Sequence, residues 1–302
     1  MGGMLAGGLA GVAAALVLAQ VSSKVLDDVN VAQVLGTPVV GSFPRDRALL
    51  RDPRNALVQT PAGSLETLDR LTVRAEAMAD PDVDHALTIA VVGTQPLSGV
   101  TTLSLALARR LAQTGYSVVV VDGDVRTQGL SDLFTKGAGT GIGALLSDDW
   151  DEDRDALFTP TNVANVEILG VGSLERRAAL RRDAIGPILG EARRRAQVVV
   201  YDGGHLMGSA LTLFAGKASD VMVVAVPLAD QEQEVLEEVA EYLPADRSRV
   251  LAVATDPVRR RASRLDEGST ADTAPVERTT EARATPTKAT AKKPASKVGS
   301  RA

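Results

Sequence analysis

The chain has 302 residues, a formal net charge of −5 and no cysteine, which removes disulfides, thiolate metal sites and cysteine nucleophiles together. Its histidines are His85 and His205, too few for a multi-histidine metal site. Aromatics at 3% argue against a base-stacking platform, so no nucleic-acid partner is expected.

The chain opens with "MGGMLAGGLAGVAAALVLAQV", which carries no charged side chain. Gly2 to Val21 is long enough to cross a bilayer core at about 1.5 Å per residue. Gly3, Gly7, Gly11, Ala15 and Ala19 recur at every fourth position and would let another membrane helix approach closely. The predicted element is one transmembrane anchor over residues 1–23. A signal peptide cleaved after "VLA" competes with it but lacks the basic n-region, and a soluble core helix is the third reading. Lys24 on the C-terminal flank favours a cytoplasmic body, which gives an inner or plasma membrane protein with a single span.

Residues 24–63 read as a juxtamembrane segment and linker. "SSKVLDDVNVAQVLGTPVVGSFPR" predicts a short helix, a Gly-Thr-Pro turn and a brief apolar stretch stopped by Pro44. Arg45 to Gly63 is polar and reads as the linker proper. Ser64 then stands where an N-cap would, with Leu65, Leu68, Leu71 and Thr72 at helical spacing.

Strand and helix signals alternate over the rest of residues 64–256. The strand runs are "ALTIAVVGT", "SVVVVDGD", "VEILGVG", "QVVVYDGG", "DVMVVAVPL" and "RVLAVATD". Most are continuous apolar runs, as expected when helices cover both faces. The expected fold is therefore α/β, a doubly wound and mostly parallel sheet, with ligands bound outside the carboxyl ends of the strands. Residues 257–302 lose apolar periodicity and are rich in Ala, Thr, Pro and Lys, so they are expected to be a disordered basic tail. Its "RRRASR" run could touch anionic lipid at ~1 kcal/mol per basic residue.

Three motifs carry chemistry. "VVGTQPLSGVTTLSLALARRLA" has the layout of a phosphate-binding P-loop: strand, glycine-bearing turn, hydroxyls, helix. Gly99, Val100, Thr101 and Thr102 are its cofactor-binding candidates, with Thr101 where a hydroxyl would hold magnesium. Val100 stands where G-x-x-x-x-G-K-[ST] has its lysine, so the cation that meets the β- and γ-phosphates is missing. "SVVVVDGDVR" ends an apolar run on Asp122, Asp124 and Arg126. Two such carboxylates repel unless a divalent cation or hydrogen bonds hold them, and magnesium is the natural occupant. "AQVVVYDGGHL" places Asp202 where a Walker B aspartate would reach the magnesium shell, while His205 has no partner at metal spacing. Thr101, Asp122 and Asp202 are thus the metal candidates. Asp122, Asp124 and Asp202 would be the catalytic ones in an active enzyme, and Arg126 is a further cofactor-binding candidate.

In this order and spacing, "PLSGVTT", "VVVDGDVR" and "VVVYDGGH" resemble the ATPase domain of bacterial tyrosine kinases, which partner the chain-length determinants of capsule and exopolysaccharide synthesis. "LDDVNVAQVLGTPVVGSFPR" resembles the segment after the second membrane helix of the fused determinants, and "QGLSDLF" and "GIGALLSDDW" extend the likeness. The resemblance implies a P-loop fold related to MinD and ParA, with ATP or ADP and Mg²⁺ as cofactors where nucleotide binding is retained. It implies transmembrane chain-length determinants or polysaccharide export proteins as partners, contact with membrane lipid, and a homo-oligomer. It also implies that the chain opens at the second membrane helix of the family pattern.

The departures bear on activity. Leu97 and Ser98 replace the family's glycine and glutamate, Val100 its lysine, and His205 stands nearest its third-motif proline. The last tyrosine is Tyr242, so the tail has no tyrosine cluster. The oligomerising E-x-x-R-x-x-R helix would fall near Glu66 to Arg74, with Asp69 at the first arginine position. The leading expectation is a degenerate, membrane-anchored adaptor or regulator of polysaccharide synthesis, export or chain length, with little or no activity. An active tyrosine autokinase in which Arg126, Lys136 or Lys217 replaces the lysine, and a MinD-type positioning ATPase, are the alternatives.

Overall fold

A computed structural model describes residues 25, 27–44, 46–61, 63–79, 85–135, 140–147, 154–174, 183–228 and 230–255. The anchor expected over residues 1–23 and the tail expected over residues 257–302 lie outside the described residues. Among the described residues no helix is long and apolar enough to cross a membrane.

Eight strands form one sheet. They are β1 (Val39–Phe43), β2 (Leu87–Gly93), β3 (Val118–Asp122), β4 (Phe158–Pro160), β5 (Val166–Leu169), β6 (Val198–His205), β7 (Val221–Pro227) and β8 (Val250–Thr255). Their order is β1-β8-β7-β2-β6-β3-β5-β4, and every pair is parallel except β4 with β5. All six strand runs expected in the body are present. The period of two along each strand divides the valines between faces. Ile89 and Val91 of β2 join one core cluster, whereas Ala90 and Val92 face the other side.

Helices cover both faces, so the strands have no polar side and read as unbroken apolar runs. On one face lie α3 (Leu65–Met78) and α4 (Val100–Gln113), which bury Leu68, Leu71, Leu103, Leu107 and Leu111. On the other lie α1 (Asp28–Leu35), α7 (Ile185–Arg195), α8 (Ala210–Ala218) and α9 (Gln233–Tyr242). Burying each large aliphatic side chain stabilises the fold by about 1.5–3 kcal/mol. Short helices α2 (Arg47–Arg51), α5 (Gly129–Phe134) and α6 (Ile142–Leu145) complete the described elements.

The segment expected to be a linker is part of the packed body. β1 pairs with β8 along the sheet edge. After it come α2 and a 3₁₀ turn at Pro53–Leu57, with Leu49, Ala56 and Leu57 buried in the same cluster as α4. The polar composition that suggested a linker is capping chemistry. Asp46 accepts the Ala48 amide at 2.7 Å and Asp52 the Arg54 amide at 3.0 Å. Helix α3 covers the free edge of β1: Thr67 Oγ1 donates to the Ser42 carbonyl at 2.8 Å and Arg70 Nη1 to the Val40 carbonyl at 3.3 Å.

Two local expectations at α3 fail. Ser64 makes no cap bond; its hydroxyl donates to the Pro61 carbonyl at 2.7 Å, and the side chain is buried. Leu65 is exposed, because the stripe that meets the core is Thr67, Leu68, Leu71, Thr72 and Ala75.

The chain crosses from β2 to β3 on one side of β2 and later from β6 to β7 on the other. That reversal opens a crevice at the carboxyl ends of these strands. The three sequence motifs end there.

Candidate functional site

The first motif forms the loop between β2 and α4. Gly99 adopts φ 81°, which an L side chain resists, and its carbonyl accepts the first turn of α4 from Leu103 at 3.0 Å. Leu97 also has a left-handed backbone, φ 63°, and is 92% exposed. A branched residue in that conformation costs about 1–2 kcal/mol with no burial to offset it. The loop is braced from within. Ser98 Oγ donates to the Gln95 carbonyl at 2.7 Å and accepts the Gln95 amide at 3.3 Å, and Thr255 Oγ1 donates to the Ser98 carbonyl at 2.8 Å.

Val100 turns inward. It is 6% exposed and belongs to the core cluster of α4. A Cβ added at Gly93 would lie 2.9 Å from Val100 Cγ2 and 2.8 Å from Ser98 Cβ, so the valine fills the space at the end of β2. Thr101 and Thr102 are half-buried, and the Thr101 hydroxyl is near enough to Asp202 to favour its carboxylate form.

The second and third motifs meet side by side. Asp122 and Asp202 are register partners on β3 and β6, and both are buried. Asp122 Oδ2 accepts the Ser131 amide at 2.7 Å and its hydroxyl at 2.6 Å, while Oδ1 has no partner. Burial raises the Asp122 carboxyl to about 6, against the lowering effect of Ser131, and Asp124 adds to the rise. Burial also lifts Asp202 to about 8, with repulsion from Asp122 next in size. Asp124 holds its own turn instead: Oδ1 accepts the amides of Arg126 at 3.3 Å and Thr127 at 3.2 Å, and Oδ2 the Thr127 hydroxyl. Two glycines allow this crowding. A Cβ on Gly123 would meet the ring of fully buried Tyr201 at 2.0 Å, and one on Gly204 would meet Asp124 Oδ2 at 2.4 Å.

The remaining candidates divide by position. Arg126 is exposed and donates from Nη1 to the Gly208 carbonyl at 3.1 Å. His205 ends β6 opposite Gly93, where burial lowers its imidazole against the raising effect of the Thr94 backbone. Lys217 is ruled out as a stand-in cation. It lies in the last turn of α8, which runs back to the start of β7 at the opposite end of the sheet. Lys136 lies outside the described residues. His85 sits before β2, also at the far end, with Nε2 3.5 Å from Asp220 Oδ1.

The donor set fits magnesium only together with phosphate oxygens. Among the described residues no group of three or more His, Cys, Asp or Glu could hold a metal alone. Two carboxylates, one oxygen of which is unpartnered, and a threonine hydroxyl match an ion that takes one or two carboxylates plus substrate phosphates. Beside the loop lies an apolar cleft of about 60 Å³, lined by Phe43, Leu49, Leu97, Gly99, Pro227 and Thr255 among others. Asp122 and Asp202 are not in its lining; of the loop residues, Thr101 is the one that acts on Asp202. Sequence reasoning missed Ser131, the residue that orients Asp122, although "QGLSDLF" was part of the resemblance. It also missed Phe43 and Thr255, which reach the loop only through β1 and β8.

A mostly parallel sheet covered by helices on both faces, with this crevice, defines the class: an α/β protein with a P-loop-like strand–loop–helix. Its fold is that of solved tyrosine kinase domains. The chimerical protein CapA2B2 aligns with a TM-score of 0.63 at 18% identity, over 76% of this chain and 99% of that one. The BceF tyrosine kinase domain gives 0.61 at 19% identity, over 78% and 100%. The kinase domain of the Escherichia coli tyrosine kinase ETK gives 0.60 at 18% identity, over 76% and 92%. No protein-family model matches the chain, and neither does any curated protein.

Proposed function

We propose that this protein is a membrane-anchored, tyrosine-kinase-like P-loop protein that has kept a nucleotide cradle and lost its phosphoryl-transfer chemistry. It serves as an adaptor or regulator in capsule or exopolysaccharide synthesis, export or chain-length control. The observation that carries this reading is Val100. In the lysine's position, a hydrocarbon side chain is packed into the core against Gly93, while Thr101, Asp202 and Asp122 stay gathered beside it.

In this reading the amides at the start of α4 would meet the phosphates, and Thr101, Asp122 and Asp202 would hold Mg²⁺ together with phosphate oxygens. Bound magnesium would supply charge neutralisation between the carboxylates and the phosphates. The apolar cleft next to Gly99 and Thr102 would receive the planar base. Losing one preorganised cation costs about 3–4 kcal/mol of transition-state stabilisation, some two to three decades in rate. Tyrosine supply points the same way. Tyr201 is fully buried, Tyr116 is half-buried, and only Tyr242 is exposed.

The test is calorimetry with ATP and ADP, with and without Mg²⁺, alongside autophosphorylation with radiolabelled ATP. Magnesium-dependent binding without phosphotyrosine is the expected result. Phosphotyrosine on the wild-type chain would instead establish an active autokinase, the second reading.

A further inference from the structure

We infer that Ser131 sets the cation choice of the proposed site, favouring Mg²⁺ over Ca²⁺, by filling one oxygen of Asp122 and leaving the other as a monodentate ligand. This rests on Asp122 and Asp202 serving a magnesium–nucleotide complex, as proposed above.

Few carboxylate oxygens in the crevice are free. Each such oxygen has about two acceptor positions. On Asp122 Oδ2 both are taken, by the Ser131 amide at 2.7 Å and the Ser131 hydroxyl at 2.6 Å. Oδ1 is buried and has no partner. Asp122 can therefore give a cation one oxygen and cannot clasp it with two. Asp124 adds none, since Oδ1 accepts the amides of Arg126 and Thr127 and Oδ2 the Thr127 hydroxyl. Asp202 Oδ1 accepts only a long bond from the Gly204 amide, at 3.3 Å.

Ser131 is held so that its hydroxyl cannot turn away. Its Oγ accepts the Val171 amide at 2.8 Å, which leaves the proton for Asp122. Its carbonyl accepts the Thr135 amide at 2.9 Å and the Thr135 hydroxyl at 3.1 Å. The chain after β5 comes this close because residue 170 is glycine. A Cβ there would lie 3.2 Å from Ser131 Oγ and 2.7 Å from Thr135 Oγ1. Ser131 is buried, so water does not replace it at Oδ2.

The two cations ask for different things. Ca²⁺ gathers about six to eight oxygens and often takes both from one carboxylate, whereas Mg²⁺ keeps several waters and needs one or two carboxylates plus phosphate oxygens. A crevice in which Asp122 offers a single oxygen meets the second demand and not the first. Ser131 acts through Asp122 and is thus a positioning residue.

Calorimetry on the full chain in detergent micelles, with ADP and either Mg²⁺ or Ca²⁺, tests this. Wild type should bind ADP at least about tenfold more tightly with Mg²⁺ than with Ca²⁺. Ser131→Ala opens one position on Oδ2 and should shrink that ratio roughly five- to tenfold. Ser131→Thr keeps the hydroxyl and should restore it. If Ser131→Ala does not fold, Ser131→Cys decides in its place, because a thiol of similar size is a weak donor. Thr135→Val removes a hydroxyl bond from the same turn without touching Asp122, and it should leave the ratio as in wild type. A wild type that takes both cations alike, an unchanged ratio in Ser131→Ala, or an equal shift in Thr135→Val would overturn the role of Ser131 and leave the proposed function standing. A wild-type chain that binds ADP with neither cation would refute the proposed function and the role of Ser131 together.

Discussion

At Val100 the side chain does two incompatible jobs. As a hydrocarbon it completes the core at the end of β2, and as the residue in the lysine position it withholds a charge from the crevice. Val100→Lys should therefore lower thermal stability in the absence of nucleotide and raise nucleotide affinity at least about tenfold, both readable by calorimetry. An unchanged affinity would mean that the loop is not arranged around phosphate. Asp122 and Asp202 carry the opposite problem, being two acids in one buried place. Both titrate higher in the fold, at about 6 and about 8, than an unfolded aspartate near 3.9. Between about pH 4 and pH 8 the folded state binds more protons than the unfolded one, so these groups favour folding at low pH. That contribution fades as pH rises through their folded values. Urea unfolding without divalent ions should show Asp202→Asn gaining stability relative to wild type between pH 5 and pH 8.5. A constant difference would mean that Asp202 is already ionised at pH 5. Added Mg²⁺ together with nucleotide should narrow the gap.

Among the elements, β3 and β6 bring the two aspartates into register, and the turn after β3 shows how tightly they are packed. Gly123 lies flat on Tyr201, so Gly123→Ala should destabilise the fold by about 1–3 kcal/mol in urea titration. Combining it with Tyr201→Leu should recover part of that loss, which a purely backbone effect would not. The α3 helix shows a different balance. The resemblance gave it an oligomerising role, yet its inner face is occupied by β1. Glu66 pairs with Arg70 at 2.5 Å, and Asp69 pairs with Arg110 of α4. Glu66 and Asp69 are thus engaged within the chain, while Arg74 is exposed.

For the molecule as a whole, the residues before Ser64 that the structure describes are structural. β1 extends the sheet past β8, and the 3₁₀ turn and α2 seal one side of α4. A fragment starting at Ser64 would expose Leu251 and Val253, which are now buried, and bare the side of α4 that the 3₁₀ turn covers. Its thermal midpoint should fall well below that of the full chain, and it should aggregate on heating. A fragment as stable as the full chain would show that the first 63 residues are dispensable for packing.

The sequence by itself determined the strands, the helices, the order of the three motifs and an apolar residue at position 100, because these depend on local periodicity and residue chemistry. Valine runs that end on Asp122 and Asp202 read as strands leading to a crevice wherever they sit in the sheet. Only the tertiary structure decided which strands lie side by side, since parallel register joins residues far apart in the chain. It paired Asp122 with Asp202, turned Val100 into the core, brought Thr255 to the loop, and made an edge strand and a packed wall of a segment whose capping aspartates had looked like a linker.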